Sequence, residues 1–260
     1  MSDRLLSSQV DQTMILTISN PDFRNALGPN LYAAGIEALN AAETNPDIRS
    51  VIITGEGAHF CGGGNLNRLL ENRAQSAAAA QEESIDGLHT WMESIRTFPK
   101  PVIAAVEGAA AGAGLSLALS CDFIVAADNA NFVMAYSNVG LSPDGGGSWA
   151  IARHLPRATA MNMLMAAQPM RTGALHALGV VSHAAPPGQA LQTALDLAAN
   201  LNTRAPNVLG SLKELVNEAA DNSLSTHLQA EKKHFIKNLY HPNGGEGISA
   251  FLEKRRATYK

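Results

Sequence analysis

Residues 101–122 of the chain, PVIAAVEGAAAGAGLSLALSCD, carry a single charge, Glu107. A run this apolar has to be buried, in a protein core or in a bilayer. As a membrane span it is poor, because Pro101 opens it, Glu107 lies inside it, and Gly and Ser residues interrupt it. The glycine pair Gly108 and Gly112 has helix-dimer spacing, but the surrounding chain is soluble in character. Buried in a core, the run gives a strand over 102–106, a glycine-rich turn, and a helix beginning near Ala113. The first N–H groups of such a helix have no partner within it and point at whatever precedes it. Glycines there let a ligand come close. A second glycine cluster, HFCGGGNL at 59–66, follows another strand. Two backbone N–H donors converging on one carbonyl oxygen would form an oxyanion hole, so the chain reads as an enzyme.

Composition narrows the setting. The 260 residues suffice for a large core. The net charge of −4 comes from 19 basic and 23 acidic residues spread along the chain, with no basic stripe to engage nucleic acid. The start, MSDRLLSSQV, has no apolar signal-peptide core, and Cys61 and Cys121 form no disulfide framework, so a reducing cytoplasm is expected. The eight histidines show no metal-ligand spacing.

Periodicity predicts strands at 14–19, 50–54, 102–106 and 123–127, with a further short strand at 179–181. Helices are expected at 29–43, with Pro29 at its first position, and at 66–73 and 83–96. The alanine-rich QSAAAAQ between the last two is either helical or mobile. Thr172 reads as a helix cap. Further helices are expected at 189–201, 206–219, 225–239 and 245–256, with Val208, Leu209, Leu212, Leu215 and Val216 forming an apolar helix face. Strands alternating with helices, then a helical tail, indicate an α/β core.

Five segments together resemble the crotonase (enoyl-CoA hydratase/isomerase) superfamily: Arg24-Asn25-Ala26-Leu27, HFCGGGNL, EGAAAGAGLSLALSCD, VGLSPDGGGSW at 139–149, and EGISAFLEKRR at 246–256. The resemblance covers nearly the whole chain. It implies a core spiralling through ββα turns over 1–200, with a C-terminal helical region over 201–260 that builds trimers or hexamers. It also implies an acyl-CoA thioester as ligand, with coenzyme A part of the substrate and no separate cofactor. By position, the amides of Gly64 and Ala113 would hold the thioester oxygen. Gly64, Asn65, Leu66 and Asn67 would line the coenzyme channel, with Arg24 near the coenzyme nucleotide or pantetheine and Ala26 and Tyr136 as further substrate-binding residues.

The departures from the family pattern concern the reaction. Hydratases of the family flank the water with two Glu residues, and here those positions hold Ser116 and Tyr136. Neither is a good base near neutral pH. Asp144 matches an acidic position that some isomerases of the superfamily use, including ring-epoxide isomerases of phenylacetyl-CoA breakdown. One carboxylate suffices to move a proton between two carbons of an enoyl chain. Asp144 is therefore expected to be the proton shuttle, walled by Tyr136 and Trp149. Pro-Asp-Gly is equally a turn sequence, and Asp is a common helix cap.

Other readings stay open. The segment around Ser116 approaches a G-x-S-x-G elbow, although Ser116 falls too far past the strand for a hydrolase nucleophile. His89 lies near the base of the halobenzoyl-CoA dehalogenases, whose nucleophilic Asp matches Asp144. Trp91, Met92 and Phe98 line an acyl pocket or belong to the core. Residues 254–256 approach coenzyme phosphates or simply end a helix. Without the two glutamates, the chain could also be an inert acyl-CoA-binding subunit.

Overall fold

Each apolar strand of this chain faces a helix on both sides, which is why the strands read as continuous hydrophobic runs. A computed structural model describes residues 3–260. The main sheet takes its strands from β1 (Arg4–Val10), β2 (Thr13–Ser19), β3 (Ser50–Gly55), β4 (Val102–Val106), β6 (Phe123–Ala127) and β9 (His183–Ala185), in that spatial order. Only the β1–β2 pair is antiparallel. A smaller sheet holds β5 (Ala109–Ala111), β7 (Asn131–Val133) and β8 (Met170–Arg171).

Strand alternation assigns the two faces. Val51 and Ile53, Val102, Ala104 and Val106, and Ile124 and Ala126 enter the larger core cluster. There they meet α1 (Pro29–Thr44), α3 (Ala78–Thr97) and α4 (Ala113–Ser120). Their neighbours Ile52, Ile103, Ala105 and Val125 point the other way, onto Ala194 and Ala198 of α8 (Ala190–Asn202). A parallel sheet covered on both faces requires this pattern. Helices α1 and α3 pack closely at Gly35, where a Cβ would lie 2.2 Å from the Trp91 ring.

Successive ββα turns build the spiral. Strand β4 passes to β5 and α4, and β6 passes to β7 and α5 (Gly147–His154), so each turn contributes one strand to either sheet. The turn from β3 follows the same course, with Cys61 bridging Ala110 in place of a full strand before α2 (Leu66–Ala74). The observed architecture is thus the α/β spiral of ββα turns that the motifs implied. Glu107, the single charge of the central run, accepts from the N–H groups of Gly188 and Ala190 at 3.1 and 2.9 Å and so places a carboxylate at the start of α8.

The chain closes with α6 (Arg157–Met165), α7 (Thr172–Ala177) and, after α8, the helices α9 (Pro206–Ala219), α10 (Leu224–Leu239) and α11 (Pro242–Leu252). A half-buried ion pair pins α9 to the core. Lys213 Nζ donates to Asp122 Oδ2 and to the Ile95 carbonyl, each at 2.8 Å. The apolar stripe expected on α9 is largely uncovered: Leu212 is 52% and Val216 is 73% exposed.

Several local expectations need correction. The strand expected at 179–181 lies at His183–Ala185, because Gly179 adopts φ +77 and turns the chain before it can pair. Thr172 does not cap α7; Arg171 holds that position, and the buried Thr172 hydroxyl donates to the Ala127 carbonyl instead. The alanine-rich segment joins α3 from Ala78 onward. The last helix starts earlier than expected, with Pro242 in its first turn behind a His241 cap. Strand β1 has no sequence signal; its residues are nearly all exposed, and it is held by main-chain pairing to β2.

Candidate active site

The two glycine clusters meet because the chain on either side of them pairs like strands. After β3, Phe60 N–H donates to the Glu107 carbonyl and Cys61 N–H to that of Ala109, at 2.8 and 3.0 Å. Ala111 N–H returns a bond to the Cys61 carbonyl at 2.9 Å. The clusters then touch where only glycine fits. A Cβ on Gly63, at φ +98, would sit 2.8 Å from the Ala111 oxygen, and one on Gly114 would sit 2.5 Å from the Cys61 oxygen. Gly112, at φ +51, turns the chain into α4. Asn25 braces the first loop from behind: fully buried at φ +57, it donates to the carbonyls of Glu56 and His59 at 2.9 and 2.7 Å.

This construction leaves the N–H groups of Gly64 and Ala113 without a hydrogen-bond acceptor among the described residues. Both residues line one cavity of about 1020 Å³. Nothing lies within 4 Å of where a Gly64 Cβ would be, so the space on that side of the residue is open. Cys61 behind it is no nucleophile. Burial pushes its thiol up to about 12, and the Gly63 N–H donates to its Sγ at 3.4 Å.

Asp144 enters the same cavity from the loop before α5. The Tyr136 hydroxyl donates to its Oδ1 at 2.6 Å. Burial and the adjacent Asp144 push the Tyr136 phenol well above its ordinary value, so it stays protonated and remains a donor. His89 Nε2 donates to the Asp144 backbone carbonyl at 2.6 Å, which commits that nitrogen to holding the loop. Asp144 does not cap α5; Gly146, at φ +77, takes that position.

Ser116 lies inside α4, 1% exposed, with its hydroxyl on the Gly112 carbonyl and packed against Gly147. A Cβ on Gly147 would stand 2.5 Å from its Oγ, so access from that side is closed. This is a packed helix serine, not an elbow nucleophile. Leu66 lines the cavity, whereas Arg24, Ala26, Asn65 and Asn67 are absent from its wall. Asn65 caps α2, accepting from the N–H groups of Asn67 and Arg68. Arg24 is exposed in a left-handed turn, and its carbonyl accepts from Gly62 N–H at 2.7 Å.

Trp149 does not wall Asp144. Its ring is stacked between the guanidinium groups of Arg96 and Arg153, 4.8 and 4.4 Å from its centre. Trp91, Met92 and Phe98 are buried in the main core. Arg255 is tied to Glu246 and Glu253 of its own chain. Sequence reasoning singled out no role for Asn25 or Gly114, and it did not find Leu69, Arg73, Gln81 or Ile85 on the cavity wall. The left-handed Asn25 was the one signal available, since asparagine tolerates that conformation.

Comparison with known proteins agrees with this geometry. The family model described as enoyl-CoA hydratase/isomerase matches residues 10–260. The chain is 34% identical over 255 residues to the 1,2-epoxyphenylacetyl-CoA isomerase of Escherichia coli strain K12, covering 98% of this chain and 97% of that one. It is 32% identical over 260 residues to the 2,3-dehydroadipyl-CoA hydratase of the same strain, covering 100% and 99%. A crystal structure of an enoyl-CoA hydratase from Polaromonas sp. JS666 superposes with a TM-score of 0.97 at 64% identity, covering 98% of this chain and 99% of that one.

Proposed function

The chain belongs to the enoyl-CoA hydratase/isomerase family, and on that premise we propose that it is an enoyl-CoA isomerase in which Asp144 moves the proton. The thioester oxygen accepts from the Gly64 and Ala113 amides, each contributing about 3 kcal/mol to stabilising the enolate-like transition state. The Asp144 carboxylate takes a proton from one carbon of the enoyl chain. The electron pair of that C–H bond passes through the conjugated system to the thioester oxygen. Collapse of the enolate then returns the proton from Asp144 to the other carbon, so the double bond moves and no atom is gained or lost. Tyr136 holds Oδ1 and leaves Oδ2 for the proton.

The observation that carries this reading is that, among the described residues, Asp144 is the only carboxylate on the wall of the cavity that also receives the two free amides. Ser116 and a protonated Tyr136 occupy the positions where hydratases of the family keep their glutamates. Hydration is the second reading, because the 64%-identical structure bears the name hydratase. A panel of 2-enoyl, 3-enoyl and aromatic acyl-CoAs separates the readings. Interconversion of 3-enoyl and 2-enoyl thioesters at unchanged mass is expected. Gain of one water as the main product would replace isomerase by hydratase, and unchanged ligands would indicate an inert binder.

We also place the protein in the cytoplasm; among the described residues no helix is long and apolar enough to cross a membrane. Assembly into trimers or hexamers accounts for the C-terminal surface, where Phe251 and Tyr240 are each 82% exposed and Leu252 is 74% exposed. Light scattering is expected to give three or six chains per particle, and a monomer would remove this part of the reading.

A further inference from the structure

The cavity wall changes character along its length. Helices α2 and α3 form an antiparallel hairpin whose alignment is set by two side-chain bonds. Arg68 Nη1 donates to Ser84 Oγ at 3.2 Å, and Asn72 Nδ2 donates to Gln81 Oε1 at 3.0 Å. The start of α2 therefore faces the middle of α3, and the end of α2 faces the start of α3. The reacting groups lie at the first of these ends. Gly64 immediately precedes α2, and Asp144 is bonded to His89 in the middle of α3. Gln81 lies at the other end, about 12 Å from His89 along the helix axis.

Near the reacting end the wall is Leu66, Leu69 and Ile85; toward the far end, beside Ala77 and Ala78, it carries the polar side chains of Asn72, Arg73, Ser76 and Gln81. Arg73 and Asp144 are the charged residues on this wall, and among the described residues Arg73 has no carboxylate partner. Because Asn72 donates to Gln81 Oε1, the Gln81 amide NH₂ is left as a donor beside Arg73. A purely alkyl chain reaching this end would lie against the exposed Arg73 and the half-buried Gln81 and offer neither an acceptor. A carboxylate satisfies both, since a guanidinium fork matches its geometry.

We infer that the acyl chain this site takes ends in a carboxylate, held by Arg73 and Gln81. With carbon–carbon bonds of about 1.5 Å, about six to eight carbons and the long arginine stem together span the distance. The inference rests on the acyl-CoA reading of the cavity but not on the double-bond shift.

Calorimetric titration with two saturated thioesters, which cannot be isomerised, therefore tests it separately. Suberoyl-CoA ends in a carboxylate, and octanoyl-CoA is its neutral match in length. The expected result is about tenfold tighter binding of suberoyl-CoA, with Arg73→Gln weakening suberoyl-CoA about tenfold more than octanoyl-CoA. Arg73→Lys keeps the charge without the fork and is expected to lie between. Equal affinity for the two probes sinks the inference alone. Equal weakening of both by Arg73→Gln assigns that side chain to the phosphates of coenzyme A and also overturns it. If neither probe binds, the acyl-CoA reading itself fails and takes this inference with it.

Discussion

Asp144→Asn is expected to lower kcat for interconversion of 3-enoyl- and 2-enoyl-CoA by about 10³-fold, with acyl-CoA affinity changed only a few-fold. The substitution keeps the shape of the side chain and an oxygen that can accept from Tyr136, now 2.6 Å from Oδ1. What it removes is the ability to take and return a proton, a role that contributes about 10²–10⁴-fold in general acid–base catalysis. The remaining rate comes from the two amides, which the substitution does not touch. Tyr136→Phe is expected to act more mildly, about tenfold on kcat, since it frees Oδ1 without removing the carboxylate. Steady-state kinetics with a thermal-unfolding control measures both. Full turnover by Asp144→Asn would end the assignment.

Gly114→Ala has the second largest expected effect, although no side chain is lost. The added Cβ would lie 2.5 Å from the Cys61 carbonyl oxygen and 2.7 Å from its Sγ. Main chain cannot yield as the tip of a flexible side chain can, so α4 and the Cys61–Gly64 loop must move apart. Overpacking of this kind costs about 1–3 kcal/mol. Because the displaced loop carries one amide and α4 carries the other, a shift near 1 Å is also expected to cost about 10²-fold in turnover. Gly173→Ala is the control. It lies in α7, with nothing within 4 Å of its Cβ, and should be neutral or stabilise by up to about 1 kcal/mol. Equal melting temperatures and equal kcat for the two variants would show that the loop contact does not set the amide geometry.

How much could be read from the residues alone follows from what each element depends on. Strands β3, β4 and β6 announce themselves because two covered faces demand an unbroken apolar run. Helix α4 was legible from Gly112 and the small residues after it. Strand β1 was not, since its exposed side chains carry no pattern and main-chain pairing alone holds it. The short strands of the small sheet escaped for a different reason: two or three residues are too few to show alternation. Within the site, the glycine loops and Asp144 were singled out from the residues, and the fold brings them to one cavity. The bracing by Asn25 was not, because it joins positions 25, 56 and 59 that only the fold brings together. Trp149 was misplaced because periodicity cannot say which neighbour a surface aromatic will stack on, and two arginines claim it.

The two amides proposed to polarise the carbonyl belong to the peptide chain itself, so no codon change can delete either donor outright, short of proline. The side chains at positions 116, 136 and 144 are under no such protection. A lineage built on this plan can therefore exchange its acid, and with it its reaction, while the apparatus that activates the thioester is inherited intact.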